Sequence, residues 1–405
     1  MDPLDIIMNK DNITPYFQAV VSADKQLVIG YEVIPQFQNG KDFIPLDWFF
    51  RDSNIPDEYR LELHDYIHRL VLKELQAEQQ SAIMYFQYDI ELLIKDNGET
   101  FLKRMEQLEQ QGLNYNQVAL QFHSDELVDK ANEYKHFFFY LQSLGFRIVI
   151  TEIGQSTSRL DHIVMLKPNV LKAKVSFIDE EELPHMFGEV HQTLSMLSRK
   201  IGATLLFEGI SNFNQLNYAW RNGGRYYQGE FIQSPRTSLV PLDCSTVRLR
   251  KSFTHFMTFE RKKIEAQVSL TNELNLILRE SLKLMTTKDT FDEMLMKAAK
   301  ECDRYAFRLY ICDAEGFQQS SNAEKDKENA WGLIEEGRYK NWSWRPYFLE
   351  NIVRMSIEKK GILSDLYTDI ERDERIRTYS FPISGDLYLF LDIPYDYLFE
   401  QEGLL

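Results

Sequence analysis

Apolar and polar positions alternate in blocks through the first part of the chain. Short apolar runs rich in β-branched and aromatic residues, Ala82 to Phe86, Val118 to Phe122, Phe146 to Ile150, Thr204 to Phe207 and Tyr226 to Ile232, lie between charged stretches such as Asp57 to Glu78 and Glu180 to Lys200. Short apolar runs between helices predict parallel strands buried on both faces, and the number of units from about Ile13 to Gln233 predicts a closed barrel. In such a barrel, chemistry gathers at the C-terminal ends of the strands.

The pattern changes after residue 240. Neither Pro nor Gly occurs between Pro241 and Gly316, and Phe253, Met257, Ile264 and Val268 recur at helical spacing through the charged run Glu260 to Glu265, which predicts a long helix over 243–300. Two readings stand for it: a helix packed on the barrel wall, or a connecting rod that transmits state or pairs two chains. Beyond it, Arg304 to Cys312 reads as a strand, Asp313 to Gly316 as a hairpin turn, Ser320 to Asn329 as a polar loop, Tyr347 to Lys359 as a helix, and Arg377 to Pro382 and Leu387 to Asp392 as strands. The expected architecture is α/β: a TIM-like (β/α)8 barrel over 1–242, the helix over 243–300, and a small α+β domain over 301–405.

Charge narrows the partners. The 46 Lys and Arg against 62 Asp and Glu give a formal charge of −16, which disfavours nucleic-acid polymers and anionic lipid and leaves room for a local basic pocket. Cys244, Cys302 and Cys312 show no CxxC spacing and predict reduced, structural thiols. No basic segment followed by an apolar run opens the chain, and no stretch reaches the ~18 apolar residues that span a bilayer, so the expectation is a cytoplasmic protein without membrane insertion.

The candidate chemistry lies in Gly30-Tyr31-Glu32-Val33-Ile34, Val170-Leu171-Lys172, Leu206-Phe207-Glu208-Gly209 and Tyr227-Gln228-Gly229. These segments put Glu32, Lys172, Glu208 and Gln228 at strand ends, where they can converge above a barrel. Taken singly, each has an ordinary structural reading; their order and spacing are harder to dismiss. Together they resemble the EAL-domain cyclic di-GMP phosphodiesterases over about residues 1–240. The linker and tail, including Asn341-Trp342-Ser343-Trp344-Arg345-Pro346-Tyr347, resemble the YkuI-like group of that family, with a PAS- or Cache-like C-terminal domain.

The resemblance implies a site in which carboxylates and one Asn hold two divalent cations, Mg²⁺ or Mn²⁺, that activate water against cyclic di-GMP to give linear pGpG. It implies metal binding by Glu32 and Glu208, contact of Lys172 with attacking water and phosphate, and a place for Gln228 near the site. Other family positions are substituted. Gln87 stands for the Asn ligand, Gln121 for a metal-binding Glu, Thr151-Glu152 for the Asp pair, and Gln36 for a phosphate-binding Arg. The loop Gly154 to Arg159 and Ser211 likewise depart from the family pattern. His123 reads as structural, with ligation of a transition metal as the weaker reading.

Three functions follow as expectations. One is a catalytically silent EAL domain that acts as a regulator through an unknown protein partner, coupled to the tail as a sensor. Another is weak phosphodiesterase activity with one ion held by Glu32, Glu152 and Glu208. The third is a receptor that binds cyclic di-GMP through Glu32, Gln36, Lys172 and Gln228, with Tyr85 and Tyr227 as barrel-top aromatics. A homodimer is expected from the family and the long helix. In the tail, Arg345, Tyr347 and Tyr367 either capture a small ligand of unknown identity or fill a small core.

Overall fold

The computed structural model describes residues 2–127, 130–153, 160–175, 184–286, 288–345, 348–401 and 404, without side chains for 184–189. Two compact units emerge, Met1–Thr254 and His255–Leu405.

In the first unit, β1 (Ile13–Ser22), β2 (Val28–Asn39), β4 (Ile83–Gln87), β5 (Val118–His123), β6 (Arg147–Thr151), β7 (Val170–Lys174), β8 (Thr204–Glu208) and β9 (Tyr226–Gln228) form a closed ring; β3 (Asp42–Pro45) is a hairpin arm on β2. β2 and β4 to β9 run parallel around the ring, and β1 is antiparallel to both of its neighbours, β2 and β9. β4, β5, β6 and β8 fall within a residue or so of the apolar runs in the sequence, because a strand covered by helices outside and packed side chains inside has no polar face to show, whereas the run Tyr226 to Ile232 is a strand only as far as Gln228. Val20, Tyr85, Ala119, Val149, Val170 and Leu206, from six different strands, form one layer of that interior packing.

Helices Asp57–Ala77, Glu99–Glu109, Ala131–Leu144, Pro184–Ile201 and Phe213–Arg221 alternate with the strands. Helix Asp57–Ala77 turns His64 and His68 inward, where His64 stacks on Tyr88 with ring centroids 4.2 Å apart and His68 Nε2 lies 3.0 Å from the Tyr88 hydroxyl.

The expected helix over 243–300 is two helices, Thr246–Lys283 and Phe291–Glu301. The break needs no Pro or Gly. Thr290 caps the second helix through its own side chain and Glu293 in a capping box, and Lys297 reaches back to the Leu284 carbonyl at 3.0 Å. Local hydrogen bonding at Thr290 and Asp289 outcompetes continuation of the helix.

The second unit carries an antiparallel sheet ordered β12-β11-β10-β16-β15-β13, with β14 also on β15. Its strands are β10 (Arg308–Asp313), β11 (Asn322–Lys325), β12 (Trp331–Ile334), β13 (Ile362–Leu363), β14 (Tyr367–Thr368), β15 (Arg375–Ser384) and β16 (Leu387–Pro394). The stretch expected as a loop over 320–329 contains β11. Its polarity misleads because Ser320 and Ser321 are buried with hydrogen-bonded hydroxyls, and Glu324 pairs across the sheet with Arg308. Leu270, Leu274 and Leu278 of the long helix join Leu309, Tyr379 and Leu391 in this unit's core. No helix among the described residues is long and apolar enough to cross a membrane.

Candidate functional site

Lys172 lies in the middle of β7 with 2% of its side chain exposed, between two carboxylates. Its ammonium is 2.7 Å from Glu32 Oε1, 2.9 Å from Glu208 Oε2 and 3.3 Å from Gln121 Oε1, so its three protons meet three acceptors. Gln121 also donates from Nε2 to Glu32 Oε1 at 2.9 Å, and Gln228 Nε2 donates to Glu32 Oε2. Both oxygens of Glu32 are therefore engaged by N–H donors. Burial pushes the Glu32 carboxyl up, but the Lys172 charge and the bonds from Lys172, Gln121 and Gln228 outweigh it and hold it below its usual range. Burial pushes Lys172 down, and Glu208 and Glu32 reverse that and raise it. The pair stays charged at neutral pH.

Two glycines bring Glu208 and Gln228 together. Gly209 holds φ +77° just after β8, and at Gly229, φ +151°, a Cβ would come within 2.2 Å of the Ile210 carbonyl oxygen. That approach lets Ile210 N–H donate to the Gln228 carbonyl at 3.1 Å and Phe231 N–H to the Ile210 carbonyl at 3.0 Å.

A second cluster forms beside the first. Glu152 holds φ +56°, a conformation disfavoured for a residue with a Cβ. Its Oε1 accepts from Lys174 at 2.9 Å, and its Oε2 lies 3.4 Å from His123 Nδ1. Burial, with help from Arg51, lowers His123 despite Glu152, so this imidazole is neutral at pH 7. The Thr151 hydroxyl donates to the Phe122 carbonyl at 3.4 Å.

The structure therefore joins Glu32, Gln121, Lys172, Glu208 and Gln228, and turns Glu152 to Lys174 and His123. The trio Glu32, Glu152 and Glu208 is not assembled into one ligand set, and no group of three or more His, Cys, Asp or Glu among the described residues could hold a metal ion. The donors as arranged do not fit a two-ion centre: the space between Glu32 and Glu208 holds the Lys172 ammonium, and an amide stands at Gln121. Gln87 lies at the end of β4, with its Nε2 3.5 Å from the Tyr88 carbonyl, and Gln36 lies further along β2, opposite Pro45.

Tyr85 and Tyr227 do not face the opening. Tyr85 belongs to the interior layer, while the Tyr227 hydroxyl donates to the Gly224 carbonyl at 2.6 Å and its ring meets Phe253. Alternation along β9 explains it: if Gln228 faces inward, Tyr227 faces out. The loop 154–159 and Tyr347 lie outside the described residues.

Two contributors escaped sequence reasoning. Gln18 pairs with Glu32 across β1 and β2 and donates to the Gln233 carbonyl at 2.5 Å; its alternation on β1 was the available signal. The Asp47 carboxyl, just after β3, is raised by burial and then by the charge of Glu32, which places it in the electrostatic reach of the cluster. Gln228 Oε1 is buried with no hydrogen-bond partner, an acceptor that a water or ligand N–H would satisfy.

In the tail, Arg345 lies over Trp342 at 4.4 Å, Trp344 at 5.8 Å and Tyr367 at 5.8 Å. The adjoining cavity, lined by Tyr310, Phe348 and Thr378, has about 20 Å³, room for one water.

Comparison with known proteins adds the family. The EAL domain matches residues 4–235, and the YkuI_C domain, described as an EAL-domain associated signalling protein domain, matches residues 239–405. The chain is 37% identical over 407 residues to the uncharacterized EAL-domain containing protein YkuI of Bacillus subtilis (strain 168), covering all of both chains. The crystal structure of Bacillus subtilis YkuI in complex with substrate c-di-GMP and calcium superposes with a TM-score of 0.92, again over all of both chains at 37% identity. A c-di-GMP complex of PaMucR phosphodiesterase shares the fold, with a TM-score of 0.51 and 16% identity over 57% of this chain and 95% of that one.

Proposed function

This chain belongs to the EAL-domain family, and from that premise we propose that it binds cyclic di-GMP at the open end of its barrel and signals the bound state without appreciable hydrolysis. The observation that carries the reading is the Lys172 cluster. In a hydrolytic site, clustered carboxylates stay mutually repulsive until divalent ions join them. Here Lys172, Gln121 and Gln228 neutralise and saturate Glu32 without an ion. Without that preorganised ion pair, the electrostatic stabilisation on which phosphodiester hydrolysis depends is missing.

Nucleotide binding survives this loss. Lys172 retains a positive charge for a phosphate, and the buried Gln228 Oε1 offers an acceptor to a base or ribose donor. The similar Bacillus subtilis protein was crystallised with c-di-GMP, which supports recognition of the same ligand here. Its calcium favours a second reading, in which an ion displaces the Lys172 ammonium and residual turnover follows. The tail domain would supply the sensing input, with Arg345 and Tyr367 opening from their aromatic stack to admit a small ligand.

Calorimetric titration of the full chain with cyclic di-GMP, with and without Mg²⁺ or Mn²⁺, combined with a pGpG assay of the same sample, tests this. Saturable binding without pGpG is expected. Metal-dependent pGpG formation abolished by Glu32→Ala would establish the second reading, and absence of binding would overturn both.

A further inference from the structure

The mouth of the barrel opposite the Lys172 cluster holds a cavity of about 550 Å³ lined by residues of the first unit alone. Its size is that of a small-molecule site. Ile83, Arg147 and Tyr226 line it from the N-terminal ends of β4, β6 and β9, with Lys25 and Arg225 at its edge.

Its charge opposes that of the chain. Three cations, Lys25, Arg147 and Arg225, face it against one carboxylate, Asp24, in a protein of net charge −16. Asp24 is committed to Arg225, at 3.1 Å. Lys25 and Arg147 form no ion pair among the described residues, and Arg147 Nε is buried without a hydrogen-bond partner. Ile29, Ile83 and Tyr226, which pack against the interior layer, give the cavity an apolar floor. An unmet N–H donor, unpaired positive charge and an apolar floor call for a ligand rich in anionic oxygen with a flat or apolar portion.

We propose that this mouth is a second binding site, for a phosphorylated small molecule of nucleotide size, with Arg147 and Lys25 holding its phosphates and Tyr226 its apolar part. The site is independent of what binds beside Lys172, at the other end of the strands.

Isothermal titration of the full chain with inorganic pyrophosphate, at low salt and with chelator present, tests the assignment. One saturable site is expected, weakened about 10- to 100-fold by Arg147→Gln and severalfold by Lys25→Gln, and unchanged by Glu32→Gln at the far mouth. Lys25 is exposed, so Lys25→Gln keeps the test readable should Arg147→Gln fold poorly. No saturable heat, binding indifferent to Lys25→Gln, or binding altered by Glu32→Gln instead would overturn the proposal.

Discussion

A buried cation among carboxylates stands in each unit, Arg308 in the tail and Lys172 in the barrel, and these two clusters differ in kind. In the tail, the Arg308 guanidinium lies 2.7 Å from Asp392, 2.9 Å from Asp369 and 3.0 Å from Glu371, with Asp392 fully buried and Asp369 nearly so. Burial pushes Arg308 down, and Asp392 and Asp369 more than reverse it. Asp392 also accepts from Thr378 at 2.6 Å, and Glu371 from Lys340 at 2.9 Å. Each nitrogen of the planar fork is engaged and two of its three partners are buried, as suits a fixed strut. The Lys172 cluster has a point charge on a pliable stem, partners with 20% and 16% of their side chains exposed, and an orphan acceptor beside it. A closed network joins strands; an open one can exchange a partner for a ligand.

The strongest way to break this contrast is to remove each cation. Arg308→Met leaves buried Asp392 and Asp369 without a counter-charge, and should cost the tail about 3–5 kcal/mol while leaving cyclic di-GMP affinity of the barrel unchanged, as read by denaturant unfolding and calorimetry. Lys172→Met should cost the barrel less, about 2–3 kcal/mol, because water reaches Glu32 and Glu208. Unlike the tail variant, it should regain stability when Mn²⁺ is added and lose it with chelator. If Mn²⁺ stabilised both variants equally, the distinction between strut and site would fail.

Acid should separate the units further. Seven of the eight histidines belong to the first unit, and His255 opens the second. Burial lowers His68 to about 3, so the folded barrel excludes a proton that the unfolded chain takes up near pH 6.5. Its contribution is complete above pH 6.5 and is lost as pH falls towards 3, at about 1.4 kcal/mol per pH unit. Thermal melts from pH 7 to 5 should lower the barrel transition more than the tail transition, and His68→Phe should reduce that slope. The smallest effect is expected at Tyr227→Phe, about 1 kcal/mol or less with unaltered cyclic di-GMP binding, because its hydroxyl serves Gly224 and not the opening.

Glu32 and Lys172 lie within β2 and β7 and not at their ends, whereas the strand ends carrying Glu208 and Gln228 were legible because apolar runs and glycine spacing report local structure directly. Hydrogen-bond partners were not, because they depend on closure of the ring. Gln121 reads as a lost ligand in the sequence, but in the barrel its amide bridges Lys172 and Glu32, whose positions are remote along the chain. Glu152 reads as a companion of Glu32 until the backbone at φ +56° and Lys174 take it elsewhere. Arg308 was overlooked even though a charge within Phe307-Arg308-Leu309-Tyr310-Ile311 was its signal; only the sheet reveals Asp369 and Asp392 waiting for it.

The pairing of β1 with β9 also carries a biosynthetic consequence. Glu32 emerges from the ribosome before its partners, and its bond to Gln228 spans 196 residues and that to Lys172 spans 140. At about 5–20 residues per second, a nascent chain waits roughly 10–40 s between exposing the first carboxylate and acquiring the strand that closes the ring. Over that interval β1 presents an open edge that only β9 covers, so the barrel is the part of this protein with most to gain from a chaperone during synthesis, before any ligand can meet it.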